Sequence, residues 1–389
     1  MQHRLKQAVL IGILSGVGSF GLAHADTIKV GLITALTGPG SSIGIPYEQG
    51  AKAGQAMIPD VDGNKLELIV LDDATDPSSA ARNARKLTQD NKVDILIGSS
   101  NVPATLAALP VAREAETALI GISPASTTGE NAAWYVTTAQ SARLMISAVV
   151  GQMKRDGVKT VGYIGFSDAW GDLVYDNLVK EADTAGIKVV TNERFARSDS
   201  SVNGQVLKII AKRPDAVMTG GAGTPGALPY LALKDRNYKG KLYGAHSLIN
   251  PDFIRVAGSS AEGLIAPTGP VIVAEQLPED HPVKQMSGRF HEVFQKTNGK
   301  PSTDAYSAYA FDAWLIAAEA AKKVIAEGKA RPGTPEFRAG LRDAIMSGTQ
   351  VAGTHGVYTF KQGDSFGSDE RGRVLVRLEK GKWKYIPEK

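Results

Sequence analysis

The sequence predicts an α/β fold of two lobes, each built on a parallel sheet, and two observations support this prediction. Apolar, strand-like runs alternate with helical segments at about 30 to 40 residues per unit, which is typical of a parallel sheet covered by helices on both faces. The alternation then begins again near residues 137–141 of a chain of 389 residues, a length that exceeds one typical domain. We therefore expect two lobes that share one plan.

Residues 1–25 have the composition of a secretory signal peptide. Arg4 and Lys6 precede an apolar run over 8–22, and residues 23–25 give the small-x-small pattern that signal peptidase cuts after. A membrane anchor is the alternative, but the run is shorter than the roughly 20 residues that span a bilayer and contains four glycines. We expect the chain to be exported to the periplasm and the signal to be cleaved.

The charge and cysteine content of the remaining chain exclude several classes of protein. After residue 25 there are 42 basic and 40 acidic residues, a balance that argues against a nucleic-acid partner. The absence of cysteine excludes disulfides, cysteine-based metal sites and a cysteine-borne lipid anchor. These features suit a soluble periplasmic protein, which we expect to be a monomer.

The first half of the chain predicts four strands with helices between them. The predicted strands cover 27–33, 66–71, 95–98 and 118–122, and the predicted helices cover 46–58, 77–89 and 103–115. Asp76 followed by Pro77 is the expected N-cap and first-turn proline of the second helix.

The second half predicts the same alternation, followed by long helices and a β tail. Helices are expected at 142–154, after the loop 167–171 as far as 185, and at 202–212, with strands at 160–166, 188–194, 215–219 and 241–244. A short β-like run over 263–273 precedes helices at 281–296 and 305–328. Alternating residues at 356–360 and 374–378 predict two strands joined by a polar loop, whereas 332–335 is expected to be a loop.

Short polar residues follow two neighbouring strands of the first half. Ser99 and Ser100 follow one strand, and the polar run 123–128 follows the next. Ligands of open α/β sheets bind beyond the carboxyl ends of the strands, where loops and helix N-termini offer free N–H groups. We interpret these loops as half of an anion site, the alternative being ordinary turns and helix caps.

Several segments together resemble the leucine/isoleucine/valine-binding proteins, the type I periplasmic solute-binding proteins of ABC importers. They are IKVGLITALTGPGSSIG, LELIVLDDATDPSSAARNARKL, YIGFSDAWGD and GVYTF, in that order. The resemblance implies two Rossmann-like lobes, a ligand cleft between them and three hinge crossovers near 138–141, 268–272 and 346–352. The implied lobes are 26–139 plus 272–347 and 140–271 plus 348–389. Hinge closure on a solute and its delivery to an inner-membrane permease with its ATPase would follow.

Ten positions are expected at the ligand site. The first lobe is expected to hold a ligand carboxylate with Ser99, Ser100, Ala125, Ser126 and Thr127, with Tyr47 as a weaker candidate for the wall; the second lobe contributes Trp170, Gly221, Ala222 and His246. Trp170 matches an aromatic residue that the family places over the ligand, although it can instead pack locally.

The position of His246 bears on the nature of the ligand. Amino-acid-binding members commonly carry a carboxylate at the matching position, which neutralises the ammonium of the ligand. An imidazole beside the small loop 220–224 suits an acid without an α-amino group, such as an aromatic acid or a 2-oxo acid. The alternatives are that His246 is an exposed turn residue, and that Asp304, otherwise a helix N-cap, serves as the anion for an amino acid.

We expect no catalysis, no metal and no cofactor. The chain lacks a P-loop motif, and the four histidines after residue 25 have no metal-binding partner at helical spacing. The sequence thus predicts the periplasmic receptor of an ABC importer for a small carboxylate. A binding protein for branched-chain or other amino acids is one alternative, and a ligand sensor that partners a signalling receptor is another.

Overall fold

The computed structural model describes residues 26–387, so the expected signal peptide lies outside the described residues. Two α/β lobes, each with a mostly parallel sheet, enclose a cavity between them, in agreement with the predicted fold class. Within the described part of the chain, no helix combines the length and the apolar character needed to cross a membrane.

The sheet of the first lobe has six strands in the order β2-β3-β1-β4-β5-β6. The strands are β1 Thr27–Thr34, β2 Asp60–Val61, β3 Asn64–Asp72, β4 Ile95–Ile97, β5 Leu119–Gly121 and β6 Tyr135–Thr137. β2 forms an antiparallel hairpin with β3, and the other neighbours pair in parallel. The central strands are runs of buried apolar residues because helices cover both faces of the sheet.

The sheet of the second lobe has seven strands in the order β15-β14-β11-β10-β9-β7-β8. The strands are β7 Thr160–Phe166, β8 Lys188–Phe195, β9 Ala216–Gly220, β10 Lys241–Gly244, β11 Ile265–Thr268, β14 Val374–Glu379 and β15 Lys382–Ile386. β7 to β11 pair in parallel, and β14 and β15 extend the edge as an antiparallel pair. The carboxyl ends of β7 to β10 therefore lie at one edge, in the order β8, β7, β9, β10.

Helices flank both sheets, and several begin at a residue that caps the first turn. They are α1 Ser41–Met57, α2 Pro77–Arg85, α3 Val102–Glu114, α4 Ala142–Arg155, α5 Ala169–Ala185, α6 Asn203–Ala211, α7 Leu228–Asp235, α8 Pro251–Ala257, α9 Lys284–Asn298, α10 Tyr306–Glu327 and α11 Pro335–Ile345. Asp76 and Asn101 cap α2 and α3 through side-chain oxygens that accept from backbone N–H groups. α10 packs against α1 and α11, and most of its residues are apolar and buried.

The structure differs from the sequence prediction at several elements. The first helix begins at Ser41, five residues before the predicted start at 46. The short strands β6 and β15 were not predicted, and neither was α11, which Thr334 caps with its side chain. The buried side chains of α11, among them Phe337 and Leu341, are four residues apart, so helical periodicity was present there.

The two β segments of the tail belong to different sheets. The first predicted segment, 356–360, lies in β13 Val357–Lys361, which pairs with β12 Ser347–Ala352 as a separate antiparallel ribbon. The second predicted segment, 374–378, is β14 of the second-lobe sheet. The resemblance implies a crossover near 346–352, but β12 packs against α10 and α11, so the chain passes to the second lobe after this ribbon. We propose the lobe bounds given above, with the ribbon moved to the first lobe.

The connecting segments between the lobes meet around α10. Asp312 of α10 is fully buried and accepts from the backbone N–H of Thr354 at 2.8 Å and from the hydroxyl of Tyr358 at 2.8 Å. Burial raises the pKa of this carboxyl to about 6. Tyr309, one turn earlier, donates to Oε1 of Gln140 in the first connection at 2.6 Å. One buried stretch of α10 thus bonds both the first connection and the ribbon.

His355, in the ribbon loop, fixes the second connection by close packing. Its ring stacks on Tyr309 at 3.8 Å between centroids, and its Nε2 lies 2.8 Å from the carbonyl oxygen of Ala305. A Cβ atom at Gly269, the residue after β11, would lie 1.6 Å from Nδ1 of His355. The second connection therefore depends on glycine at this position.

Candidate functional site

A narrow cavity lies between the carboxyl ends of the strands of the two lobes. The first lobe and its connection contribute Ile43, Tyr47, Ser100, Asn101, Val102, Ile122, Ser123, Pro124, Ala139, Tyr306 and Tyr309; the second lobe contributes Trp170, Arg197, Ala222, His246 and Ser247. The cavity volume is about 40 Å³. A single buried water needs about 10–15 Å³ on this measure, so the space suits a small, closely enclosed ligand.

The first turn of α3 forms one wall of the cavity. Oδ1 of Asn101 accepts from the backbone N–H of Ala104 at 3.0 Å, and this contact fixes the orientation of the amide. Nδ2 of Asn101 is buried and has no hydrogen-bond partner among the described residues. Asn101 thus brings an unpaired donor to this wall, where the positive end of the α3 dipole also lies, and the two together favour an anionic or acceptor group nearby.

The expected carboxylate-binding positions of the first lobe fall into two groups. Ser100 lines the cavity, and its Oγ accepts from the backbone N–H of Ala35 at 3.1 Å. Ser99 does not line it, because its hydroxyl donates to the buried carboxylate of Asp73 at 2.5 Å.

The loop after β5 lines the cavity with residues 123 and 124, which precede the expected positions 125–127. Ser123 and Pro124 line the cavity, whereas the buried Ala125 packs against Tyr135, which donates to its carbonyl oxygen at 3.1 Å. Ser126 is exposed and Thr127 is half-buried, and neither lines the cavity. The chain thus lines the cavity from Ile122 to Pro124 and then turns towards solvent.

Tyrosine rings form an aromatic wall. The rings of Tyr47 and Tyr306 meet edge to face with centroids 5.3 Å apart. The hydroxyl of Tyr47 donates to the carbonyl oxygen of Ile122 at 2.5 Å, and that of Tyr306 donates to the carbonyl oxygen of Ser247 in the other lobe. Burial raises the pKa of both phenols well above 10, so they stay neutral. Tyr47 therefore lines the cavity as expected, with Tyr306 beside it.

Trp170 and His246 form the opposite wall in the second lobe. The indole of Trp170 meets the imidazole edge to face with centroids 5.3 Å apart, and its Nε1 donates to the carbonyl oxygen of Gly221 at 3.4 Å. His246 is buried, so it is not an exposed turn residue. Burial lowers its pKa to about 4, and its Nδ1 has no partner among the described residues. Of the expected loop positions, Ala222 lines the cavity and Gly221 supports it from behind.

Arg197 is a cavity residue that the sequence analysis missed. Its Nε donates to Oδ2 of Asp168 at 2.6 Å, and its guanidinium lies 4.3 Å from the centre of the Phe166 ring. A signal was present, because Arg197 comes two residues after β8, just as Ala222 and His246 come two residues after β9 and β10.

The charge of the described cavity lining is carried by Arg197, since neither Asp nor Glu lines it. Asp304, the alternative partner for an ammonium, also lies outside this lining. Its Oδ1 accepts from the backbone N–H of Ser307 at 2.7 Å at the start of α10, and burial raises its pKa. Among residues 26–387, no group of three or more His, Asp or Glu side chains is arranged to hold a metal ion.

Direct hydrogen bonds join the two lobes across the cleft. The backbone N–H of Thr224 donates to Oγ of Ser42 at 3.1 Å, and that of Ala305 donates to the carbonyl oxygen of Ile249 at 3.2 Å. Together with the bond between Tyr306 and Ser247, these contacts hold the lobes in a closed arrangement around the cavity.

Comparison with known proteins places this geometry in a family. The model of a periplasmic binding protein family matches residues 27–369. The leucine-, isoleucine-, valine-, threonine- and alanine-binding protein of Pseudomonas aeruginosa is 27% identical over 318 residues, which are 79% of this chain and 82% of that protein.

Two solved structures from Rhodopseudomonas palustris are also similar. An extracellular ligand-binding receptor from strain HaA2 is 37% identical, with a TM-score of 0.89 over 93% of this chain and 100% of the other. A solute-binding protein of an ABC transporter in complex with 4-hydroxybenzoate is 20% identical, with a TM-score of 0.78 over 93% and 96% of the two chains, and this likeness shows the fold alone. The chain belongs to the periplasmic binding protein family.

Proposed function

We propose that this protein captures a small carboxylate without an ammonium group, an aromatic acid or a 2-oxo acid, and delivers it to an ABC permease. The observation that carries the proposal is the charge of the cavity lining, which includes the cation Arg197 and no carboxylate among its described residues. Burying an ammonium without an anionic partner carries a large desolvation penalty. For a carboxylate, hydrogen bonds to the guanidinium compensate for the loss of water.

Both lobes offer groups that suit the carboxylate. Arg197 has one nitrogen engaged by Asp168, and a guanidinium has further N–H groups with which to bind an acid. From the first lobe, Nδ2 of Asn101 and the N-terminus of α3 add neutral donors, which bind an anion without introducing a second buried charge.

The shape of the cavity favours a flat or short molecule. Tyr47, Tyr306 and Trp170 enclose it with aromatic faces and edges, which give large contact area to a planar group. Because the ligand would contact both lobes at once, it would stabilise the closed arrangement relative to an open one, and a permease can distinguish the two.

Branched-chain amino acids are the second candidate, because the Pseudomonas aeruginosa relative named above is a leucine-, isoleucine-, valine-, threonine- and alanine-binding protein. That candidate needs an anion for the ammonium, and Asp304, the nearest expected source, would have to leave its contact with Ser307.

A ligand screen tests the proposal. The protein without residues 1–25 is purified, unfolded and refolded to remove co-purified solute, and its melting temperature is measured with benzoates, phenylacetates, 2-oxo acids and amino acids. Ligands that bind the folded state raise the melting temperature by mass action. We expect acids without an ammonium to raise it and to bind with micromolar or tighter affinity by calorimetry. Shifts with leucine-like amino acids alone would refute the proposal.

A further inference from the structure

The polar groups of the second-lobe wall stand at opposite ends of one row. The carboxyl ends of β8, β7, β9 and β10 follow one another along the sheet, and they carry Arg197, Trp170, Ala222 and His246 in that order. Neighbouring strands are about 4.8 Å apart, so the strands that carry Arg197 and His246 are separated by roughly 14 Å.

Each end of the row is held in place by contacts with the protein. Arg197 is bonded to Asp168 and lies on the ring of Phe166, both next to the end of β7. His246 meets the edge of Trp170, whose own Nε1 is bonded to Gly221. Because both side chains are anchored at strands three positions apart in the sheet, we do not expect one small carboxylate to pair with both, and Trp170 follows β7, which lies between those strands.

The His246 end needs a hydrogen-bonding group that the described residues do not supply. Nδ1 of His246 is buried without a partner, and an unsatisfied buried polar atom costs free energy until something pairs with it. The burial that lowers its pKa to about 4 keeps the imidazole neutral at pH 7, with one N–H and one lone pair. A hydroxyl group, which both donates and accepts, matches either tautomer.

We propose that the ligand is polar at both ends: its carboxylate lies at Arg197, and a hydroxyl or carbonyl oxygen at its far end pairs with His246. This inference rests on the proposed function and narrows it to acids that carry an oxygen function opposite the carboxylate. His246 is then the residue that distinguishes such acids from otherwise identical acids with a bare hydrocarbon end.

Matched pairs of acids test the inference on the wild-type protein. Calorimetry compares benzoate with 4-hydroxybenzoate, phenylacetate with 4-hydroxyphenylacetate, and cinnamate with 4-hydroxycinnamate. We expect the hydroxylated member of the best-binding pair to bind at least about tenfold more tightly, since a site that hydrogen-bonds a hydroxyl discriminates against an analogue that lacks it. Equal affinity within every pair that binds would overturn this inference and leave the proposed function standing.

The variant His246→Phe tests whether His246 causes the preference for the hydroxylated acid. Phenylalanine retains an aromatic edge beside Trp170 but offers no hydrogen bond, so the preference for the hydroxylated acid should disappear while the acid without the hydroxyl still binds. His291→Phe, on the half-buried surface of α9, is the matched control and should keep the preference. A preference that survives in His246→Phe would overturn the inference. If no acid binds and leucine does, the proposed function fails with it.

Discussion

The Nε of Arg197 donates to Oδ2 of Asp168 at 2.6 Å, and the other carboxylate oxygen of Asp168 accepts from the backbone N–H groups of Trp170 and Gly171 at 2.9 and 3.2 Å. One carboxylate therefore orients the cation of the cavity and also caps the helix that carries the indole. A ligand that binds the guanidinium is therefore linked, through Asp168, to the position of Trp170.

Loss of the cation should abolish most of the binding. In Arg197→Met the aliphatic stem is retained but the charged hydrogen bonds to the acid are lost, each worth about 1.5–3 kcal/mol, so affinity should fall by about tenfold to more than a hundredfold. Arg194→Met is the matched control: Arg194 pairs with Asp172 at 3.0 Å and does not line the cavity. Calorimetry with the best acid checks both. An Arg197→Met protein with wild-type affinity would remove this residue from the site.

Asn101 should act as a donor to the ligand. Asn101→Asp keeps an oxygen for the cap of α3, and aspartate caps as well as asparagine, so the melting temperature without ligand should change little. The variant replaces a buried donor with a negative acceptor, so acid binding should fall by tenfold or more.

The double variant Ser126→Ala with Thr127→Ala is the comparison for Asn101→Asp. Because neither side chain lines the cavity, we expect wild-type affinity from it. A large loss in this double variant, with binding intact in Asn101→Asp, would place the carboxylate in the later loop, where the family resemblance puts it.

Low pH should destabilise the folded protein because its buried histidines become protonated on unfolding. Burial lowers the pKa of His246 to about 4 and that of His355 to about 3, from an ordinary value of 6.5. Below pH 6.5 the unfolded chain therefore binds more protons than the folded protein. The contribution of the neutral histidines to the free energy of unfolding is complete above pH 6.5, and it falls as the pH drops towards 4, by about 1.4 kcal/mol per pH unit for each histidine. Asp312, with its pKa raised to about 6, opposes part of the loss.

Urea unfolding at a series of pH values between 7.5 and 4.5 measures this effect. We expect the free energy of unfolding to fall with pH in the wild type and to fall less steeply in His246→Phe, which has one titrating group fewer. Parallel curves for the two proteins would contradict the prediction.

Gly269 should tolerate no side chain. In Gly269→Ala the new Cβ atom would meet Nδ1 of His355, and crowding of a packed site costs about 1–3 kcal/mol. The control is Gly288→Ala in α9, where a Cβ meets open space and alanine should stabilise the helix by roughly 0.5–1 kcal/mol. Urea unfolding distinguishes the two, and equal stability of both variants would show that the connection has room to relax.

Most strands of the two sheets, and the location of the cavity at their carboxyl ends, could be predicted from the sequence, whereas the short strands β6 and β15 could not. Apolar runs and strand-end loops are local patterns, and Trp170 and His246 were found because they stand in such loops. Arg197 was missed although it comes two residues after β8, because its loop is mostly polar and the sequence does not show that the cation lies on Phe166 rather than in solvent. Whether Ser123 or Ser126 faces the ligand depends on where the chain turns outward after β5, which tertiary packing against Tyr135 decides.

The bonds that join the lobes directly, such as that from Thr224 to Ser42, involve no solute. They contribute to closure whether or not the cavity is filled, so part of the free energy of closing belongs to the receptor itself, and a small molecule need supply only the remainder. The outer outline of an empty closed receptor would then resemble that of a loaded one. The proposed import would then depend on how briefly the empty form stays closed, and a bound solute would lengthen that time.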